Sequence, residues 1–319
     1  MNTPPVKIAG MIAAVFPGQG SQKPGMGKDL YDSRPEAKAV FEEASDASRV
    51  DIAKLCFDAD EGTLRQTQNA QLALFTCGVS AYRCLDAHLK GITLISAFAG
   101  HSVGEYAALV AAEVLGLADG ARLVKRRGEL MAESGKERPG TMSAVLGLER
   151  AALEEICRST AGVVVVANDN CLGQLVISGE VEAVRLAGEA ATANGAKRVL
   201  PLNVSGAFHS PLMDEPAATL AKDLKMTEFH DGGRMYSNVT AQPVVQQGRW
   251  PELLELQLKS PVRWTETIQN MLNEDVTEFI ECGGGDVLSG LIKRIDREAK
   301  SYRVQDPGSL ESTIAAVRA

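Results

Sequence analysis

The sequence predicts an α/β chain in two parts: a larger domain on a parallel sheet, and a smaller βαββαβ domain inserted into it. Three observations carry that expectation. Short apolar runs alternate with helical stretches along the chain. Glycine-rich turns close several of the runs. The middle of the chain has a strand–helix order of its own, between Gly135–Gly140 and the Gly206 region.

Ile12–Phe16 is a continuous apolar run stopped by Pro17-Gly18, as a buried strand requires. Asn69–Leu89 reads as a long helix. Leu94–Ala99 is a second buried strand, and an alanine-rich helix, Glu105–Leu115, follows at once. Asp119 is expected to cap a further helix running to about Ser134. In the middle, strands are expected at Thr141–Leu148, Val163–Ala167, Leu175–Ser178 and Arg198–Asn203. Helices are expected there at Glu149–Arg158 and Glu180–Asn194, the second closed by Gly195. That order is ferredoxin-like. Beyond it come a helix at Pro211–Leu224, a strand near Met235–Asn238, and helices around Glu252–Leu258 and Glu266–Leu272. A strand at Thr277–Glu281, the turn Gly283-Gly284-Gly285 and a helix at Val287–Arg297 complete the reading. The small domain is therefore placed at 137–205 and the discontinuous large domain at 1–136 and 206–319.

Composition narrows the function classes. Of the 319 residues, 45% are hydrophobic and 23% charged, which suits a globular chain and not a disordered one. A formal charge of −8 argues against a general nucleic-acid binder. No apolar run approaches the roughly 18 residues that cross a bilayer. The opening MNTPPVKIAGMIAAVF has too short an apolar part, and no cleavage-like break, for a signal peptide. The six cysteines are scattered with no C-x-x-C pair, so reduced thiols in the cytoplasm are expected. The four histidines, His88, His101, His209 and His230, lie far apart without ligand spacing, and no metal is expected.

The strongest chemical signal is Gly100-His101-Ser102-Val103-Gly104, a G-x-S-x-G turn directly after one expected strand and directly before a helix. The glycines allow a sharp turn, the serine hydroxyl projects from it, and the free N–H groups of the helix start lie behind. The Val103 N–H is placed to donate to an oxyanion. A serine needs a base. His209, in the loop Gly206-Ala207-Phe208-His209-Ser210-Pro211, is the candidate, because His101 points elsewhere on the turn and His88 and His230 read as surface residues. A second glycine segment, Phe16-Pro17-Gly18-Gln19-Gly20-Ser21-Gln22, follows the first strand. It carries Lys23 where a third glycine of a dinucleotide fingerprint would stand, and Met26-Gly27 where a phosphate loop needs Lys-Ser or Lys-Thr. Its remaining use is a backbone loop close to a ligand, able to supply a second oxyanion donor. In Lys125-Arg126-Arg127-Gly128 three successive cations cannot all face one way on a helix, so one turns inward, where it can grip a carboxylate.

Together these pieces resemble the malonyl-CoA:acyl-carrier-protein transacylase family, including the free-standing acyltransferases of fatty-acid and polyketide synthesis. The resemblance runs from about Ala14 to Arg297. It rests on FPGQGSQ at Phe16–Gln22, GHSVGEYAAL at Gly100–Leu109, KRRGELM at Lys125–Met131, VSGAFHSPLM at Val204–Met213 and SPVRWTE at Ser260–Glu266. It implies an α/β-hydrolase-like large domain with the inserted ferredoxin-like one. Ser102 falls on the family's nucleophile and His209 on its base. The backbones of Gln19 and Val103 fall on its oxyanion donors, and Arg127 on its carboxylate-binding arginine. The backbone carbonyl of Gln257 falls on the group that orients the histidine, which fits a chain whose Asp169, Asp214 and Asp286 read as loop or cap residues. An acyl pocket of Phe208, Met131 and His101 is implied, with Ala207-Phe208 resembling the malonyl type.

The resemblance further implies a ping-pong transfer of malonyl from malonyl-CoA, through a malonyl-serine, to the phosphopantetheine thiol of a holo acyl carrier protein. No cofactor, nucleic acid or membrane partner is expected, and the enzyme is expected to be a cytoplasmic monomer. Lys125, Arg126, Lys197, Arg198, Lys293 and Arg294 are candidates for a basic patch facing an acidic carrier. A serine hydrolase or thioesterase of the same fold is the alternative, but it has no use for Arg127. A non-catalytic carrier-binding protein has no use for Ser102 and His209 together.

Overall fold

The computed structural model describes residues 11–90, 95–204 and 206–318. Residues 1–10 of the opening read as no signal peptide, Leu94 at the expected start of the second strand and Ser205 at the expected end of the small domain lie outside the described residues.

β1 (Met11–Phe16) has no polar side chain, and only a strand covered on both faces can use such a run. Four helices follow: α1 (Lys28–Ser33), α2 (Pro35–Ser48), α3 (Ile52–Asp58) and α4 (Glu61–Arg65). The sequence reading contains none of them, because their signals are local. Pro35 opens α2, the Asp51 carboxylate accepts from the Lys54 N–H, and Asp60 accepts from the Thr63 N–H. α5 (Thr67–Leu89) is small and apolar on nearly every side and is buried over most of its length.

β2 (Ile95–Gly100) leads through the Ser102 turn into α6 (Gly104–Ala111), and α7 (Leu117–Glu137) follows. Asp119 does not cap α7. The buried Leu117 already starts the helix, so Asp119 lies inside the first turn and pairs with Arg122 at 2.6 Å.

The middle of the chain forms β3 (Gly140–Leu146), α8 (Arg150–Ser159), β4 (Val164–Cys171), β5 (Gln174–Glu180), α9 (Val181–Ala193) and β6 (Arg198–Pro201). Its strands make an antiparallel sheet in the order β6-β3-β5-β4, which is the ferredoxin-like arrangement. β4 continues beyond Ala167 through Asn168-Asp169-Asn170, with two register irregularities against β5. Such bulges re-aim side chains, and here they serve the site described below.

The rest comprises α10 (Asp214–Lys225), α11 (Trp250–Lys259), β7 (Val262–Arg263), α12 (Trp264–Asn273), β8 (Val276–Cys282), α13 (Val287–Ile295), β9 (Lys300–Val304) and α14 (Pro307–Arg318). No strand forms at Met235–Asn238. Met235 and Tyr236 make only isolated bridges to Phe98 and Pro243. The chain then turns off, with Ala241 left-handed at φ 56° and the Ser237 N–H donating to Gln242 O. β9 and α14 lie beyond the last element that the sequence predicts.

The large sheet runs β2-β1-β8-β9, all parallel. β7 does not join it. It pairs in parallel with β4, with Val262 opposite Asn168 and Arg263 opposite Asp169, and so extends the sheet of the insert. The carboxyl ends of β1 and β2 meet the start of α6 beneath this junction, where open α/β sheets bind ligands. Space there is exhausted: a Cβ on Gly104 would stand 2.1 Å from Phe16 O, and one on Gly100 1.9 Å from the Gly104 carbonyl carbon.

Gly104→Ala should therefore lower stability by more than about 4 kcal/mol or prevent folding, as backbone collision in a core does. Gly290→Ala in α13, where a Cβ meets nothing, should leave the unfolding free energy unchanged or raise it by up to about 1 kcal/mol. Urea denaturation of both variants checks this, and a Gly104→Ala midpoint equal to the parent's contradicts it.

Candidate active site

Ser102 sits at the turn between β2 and α6 with φ 52°, a left-handed conformation that costs a serine roughly 1–2 kcal/mol. Asn238 holds it there. Its Oδ1 accepts from the Ser102 N–H at 2.8 Å, and its Nδ2 donates to Gly100 O at 2.6 Å. One amide thus clamps both sides of the turn.

His209 is also left-handed, at φ 58°, and is buried. Its Nε2 lies 2.8 Å from Ser102 Oγ and its Nδ1 2.7 Å from Gln257 O. A carbonyl only accepts, so Nδ1 carries the hydrogen and Nε2 is free to take the serine proton. Burial, and then the nearby Arg127 cation, push the His209 pKa down to about 3, partly opposed by the bond to Gln257. The imidazole is therefore neutral at rest. No aspartate completes a triad among the described residues. Asp169 lies in β4, not in a loop or cap, and accepts from Thr265 and Arg150. Asp214 faces Lys259 at 3.3 Å and Asp286 faces Arg303 at 3.6 Å.

Of the three successive cations on α7, Lys125 pairs with Glu129 at 3.0 Å and Arg126 lies 3.6 Å from Asp223. Arg127 turns inward and is 1% exposed. Its Nη1 donates to Gln71 Oε1 at 2.5 Å, and its Nη2 donates to Gln257 Oε1 at 3.0 Å and Ser102 Oγ at 3.1 Å. Among the described residues its Nε has no partner and no carboxylate forms a salt bridge with it. A buried cation held by neutral oxygens and by the Tyr106 ring, 5.7 Å away, suits an anion that arrives from outside.

A cavity of about 460 Å³ opens over these groups. Gln19, His101, Ser102, Val103, Arg127, Met131, Phe208 and His209 all line it, so the residues singled out in the sequence converge on one space. Gln257 stands behind His209, outside that lining. The Gln19 loop packs directly on the serine turn, where a Cβ on Gly18 would be 2.7 Å from His101 O. His101 points sideways, as expected. Its Nε2 bonds Asn170 Oδ1 at 2.8 Å, its ring lies 5.7 Å from Trp264, and burial lowers its pKa. The other basic candidates are bound locally where partners occur: Arg294 Nη1 donates to Gln174 Oε1 at 2.6 Å, and Lys293 Nζ to Arg297 O.

Four supporting residues escaped the sequence reading: Gln71, Asn170, Asn238 and Glu105. Glu105 left one signal, an acid inside the apolar helix GEYAALVA. The asparagines left none.

The arrangement has parts of an acyl-transfer site: a hydroxyl with a neutral acceptor, the Gln19 and Val103 segments lining the same cavity, and a cation inside the pocket. Comparison with known proteins agrees. The profile of the acyl transferase domain family matches residues 14–304. The malonyl CoA-acyl carrier protein transacylase of Bacillus subtilis is 42% identical over 311 residues, covering 96% of this chain and 97% of that protein. The malonyl CoA-acyl carrier protein transacylase structure from Coxiella burnetii superposes with a TM-score of 0.94 at 36% identity, over 98% of this chain and 99% of that one. A malonyl-transacylase in complex with its type II PKS acyl-carrier protein superposes with a TM-score of 0.92 at 39% identity, over 96% and 99%.

Because the folded-state pKa of His209 is depressed, the unfolded chain binds the proton more readily. The stability this contributes is present above the ordinary histidine pKa of about 6.5 and is lost as pH falls toward about 3. A ¹H–¹⁵N titration of the imidazoles should show His209 unchanged from pH 8 to 5. A midpoint for His209 near 6.5 contradicts the burial argument.

Proposed function

The chain belongs to the acyl transferase domain family, and from that premise we propose that Ser102 is its acyl-carrying nucleophile, His209 the base and Arg127 the carboxylate anchor. The protein transfers the malonyl group of malonyl-CoA to the phosphopantetheine thiol of an acyl carrier protein. This supplies extender units for fatty-acid or polyketide synthesis. The observation that carries the assignment is the single chain of contacts from Gln257 O through His209 and Ser102 Oγ to Arg127.

In the first half-reaction His209 Nε2 takes the Ser102 proton while Oγ attacks the thioester carbon. The tetrahedral oxyanion lies toward the Gln19 and Val103 N–H groups. The carbon–sulfur bond then breaks, and the coenzyme A thiolate leaves with the proton from His209. In the second, His209 takes the proton of the carrier thiol, whose sulfur attacks the malonyl ester. The ester C–O bond breaks and Ser102 recovers its proton. One oxyanion donor is worth roughly 3–4 kcal/mol. The Gln257 carbonyl keeps the imidazole in the tautomer both steps need. Phe208, Met131 and His101 bound the acyl pocket, and the Phe208 ring fills space that an α-methyl would need, a discrimination of about 1–3 kcal/mol.

A hydrolase of this fold would share Ser102 and His209 but not a buried cation aimed at the acyl group. The reading also carries a cytoplasmic monomer with no cofactor of its own, since both acyl carriers bring their thiols with them. Among the described residues no helix is long and apolar enough to cross a membrane.

Intact-protein mass spectrometry after brief mixing with malonyl-CoA tests the assignment. A malonyl adduct is expected that is absent in Ser102→Ala and discharged by a holo carrier protein. Free malonate without an adduct would mean hydrolysis. Arg127→Ala should cut malonyl-over-acetyl preference by a factor on the order of hundreds to thousands, the equivalent of about 3–5 kcal/mol for an unpaired buried carboxylate. A variant that keeps the parent's preference removes Arg127 from that role.

A further inference from the structure

Glu105 has no part in the chemistry above, yet it lies in the first turn of α6, three residues from the nucleophile, and is 1% exposed. Its Oε1 accepts from the Asn238 N–H at 2.8 Å, and its Oε2 accepts from Gln257 Nε2. These partners are the two supports of the site. Asn238 clamps Ser102 N–H and Gly100 O. The Gln257 side chain donates from Nε2 to Ser102 O at 2.9 Å and accepts Arg127 Nη2 on Oε1, while its backbone carbonyl takes the His209 hydrogen. One carboxylate therefore joins the clamp on the nucleophile to the residue that touches base and anchor.

We propose that Glu105 is a positioning residue for acyl transfer, its ionised carboxylate setting Ser102, His209 and Arg127 in register through Asn238 and Gln257. The inference rests on the assignment of those three residues made above. Both carboxylate oxygens receive donors, so only the ionised form satisfies the pair. A protonated oxygen would set O–H against N–H. Burial pushes the Glu105 pKa up to about 7, against the opposing pull of these hydrogen bonds and of Arg127. The groups around it that carry or can carry charge are Arg127 on α7, Tyr106 beside it on α6 and, across Ser102, His209. Gln257 on α11 and the Ser237–Asn238 turn are neutral. His209 is already neutral well below pH 7, so it does not produce a rate limb there.

The test is single-turnover malonylation followed by intact mass, normalised to the fraction of Ser102 that can be labelled, from pH 5.5 to 8.5, for the parent and Glu105→Gln. In Glu105→Gln the amide can turn an oxygen to only one of the two donors. The rate per labelled site should fall about 10- to 100-fold, as loss of a buried hydrogen bond to a charged group implies, with malonyl-CoA KM within about threefold. The parent should lose rate as pH falls through about 7, and Glu105→Gln should not. A folded Glu105→Gln within about twofold of the parent overturns the proposal. So does a slow variant that keeps the parent's acid limb, because a merely structural role would leave that limb in place. If Glu105→Gln does not fold, Gln257→Met decides. It keeps the backbone carbonyl for His209 but cuts the side-chain link, and an unchanged rate and limb overturn the proposal. A parent that never labels on Ser102 sinks the transfer assignment itself, whereas a labelled parent beside an unimpaired variant sinks only the role of Glu105.

Discussion

Three backbones converge beneath Ser102: the end of β1, the end of β2 and the start of α6. Gly100 and Gly104 leave no room there for a Cβ, and the turn that results drives Ser102 into a left-handed conformation. The rest of the site follows from this crowding. The turn lifts the hydroxyl out of the sheet, puts Val103 next to it at the helix start, and lets the Gln19 loop lie against it. A strained residue persists only where its surroundings over-determine it, and the Asn238 clamp is what does so here. The His209 loop, equally left-handed, is set by α11, from which Leu258 O accepts the His209 N–H at 3.0 Å.

Electrostatics adds a second layer. Arg127 and Glu105 are opposite charges in one buried network, yet they do not touch as a salt bridge. Gln257 stands between them, with its amide oxygen toward the cation and its amide nitrogen toward the acid. An amide is suited to this because its two ends differ in sense. A direct ion pair would neutralise the guanidinium and leave less for a substrate carboxylate. Separation by a neutral relay keeps the cation buried, satisfied in part and available.

Much of this was legible in the residues. G-x-S-x-G between an apolar run and an alanine-rich helix marks the elbow, and the βαββαβ order marks the insert, because both are local patterns. Arg127 was legible only in part: helical geometry requires one of three cations to turn inward, but the resemblance says which. Gln257 orients His209 through its backbone carbonyl, which leaves no side-chain signature, and Asn238 reaches the turn from a distant loop with no periodic pattern. α3 and α4 escaped because helices of 7 and 5 residues are determined by caps more than by apolar spacing. The expected strand at Met235–Asn238 fails for a related reason: those residues are apolar enough for a strand, but the chain must leave the sheet there to deliver Asn238 to Ser102. β7 shows the same limit, two residues whose only distinction is their pairing with β4.

Arg127 does more than hold a charge, because after burial it is the next largest cause that weakens His209 as a base. In the transfer proposed above, a carboxylate paired with the guanidinium would cancel that influence and return proton affinity to the imidazole as the acyl group arrives. An acetyl thioester brings no such compensation and meets a less basic histidine. On that reading the cargo would help to arm the machinery that moves it, and discrimination would fall on turnover as well as on occupancy.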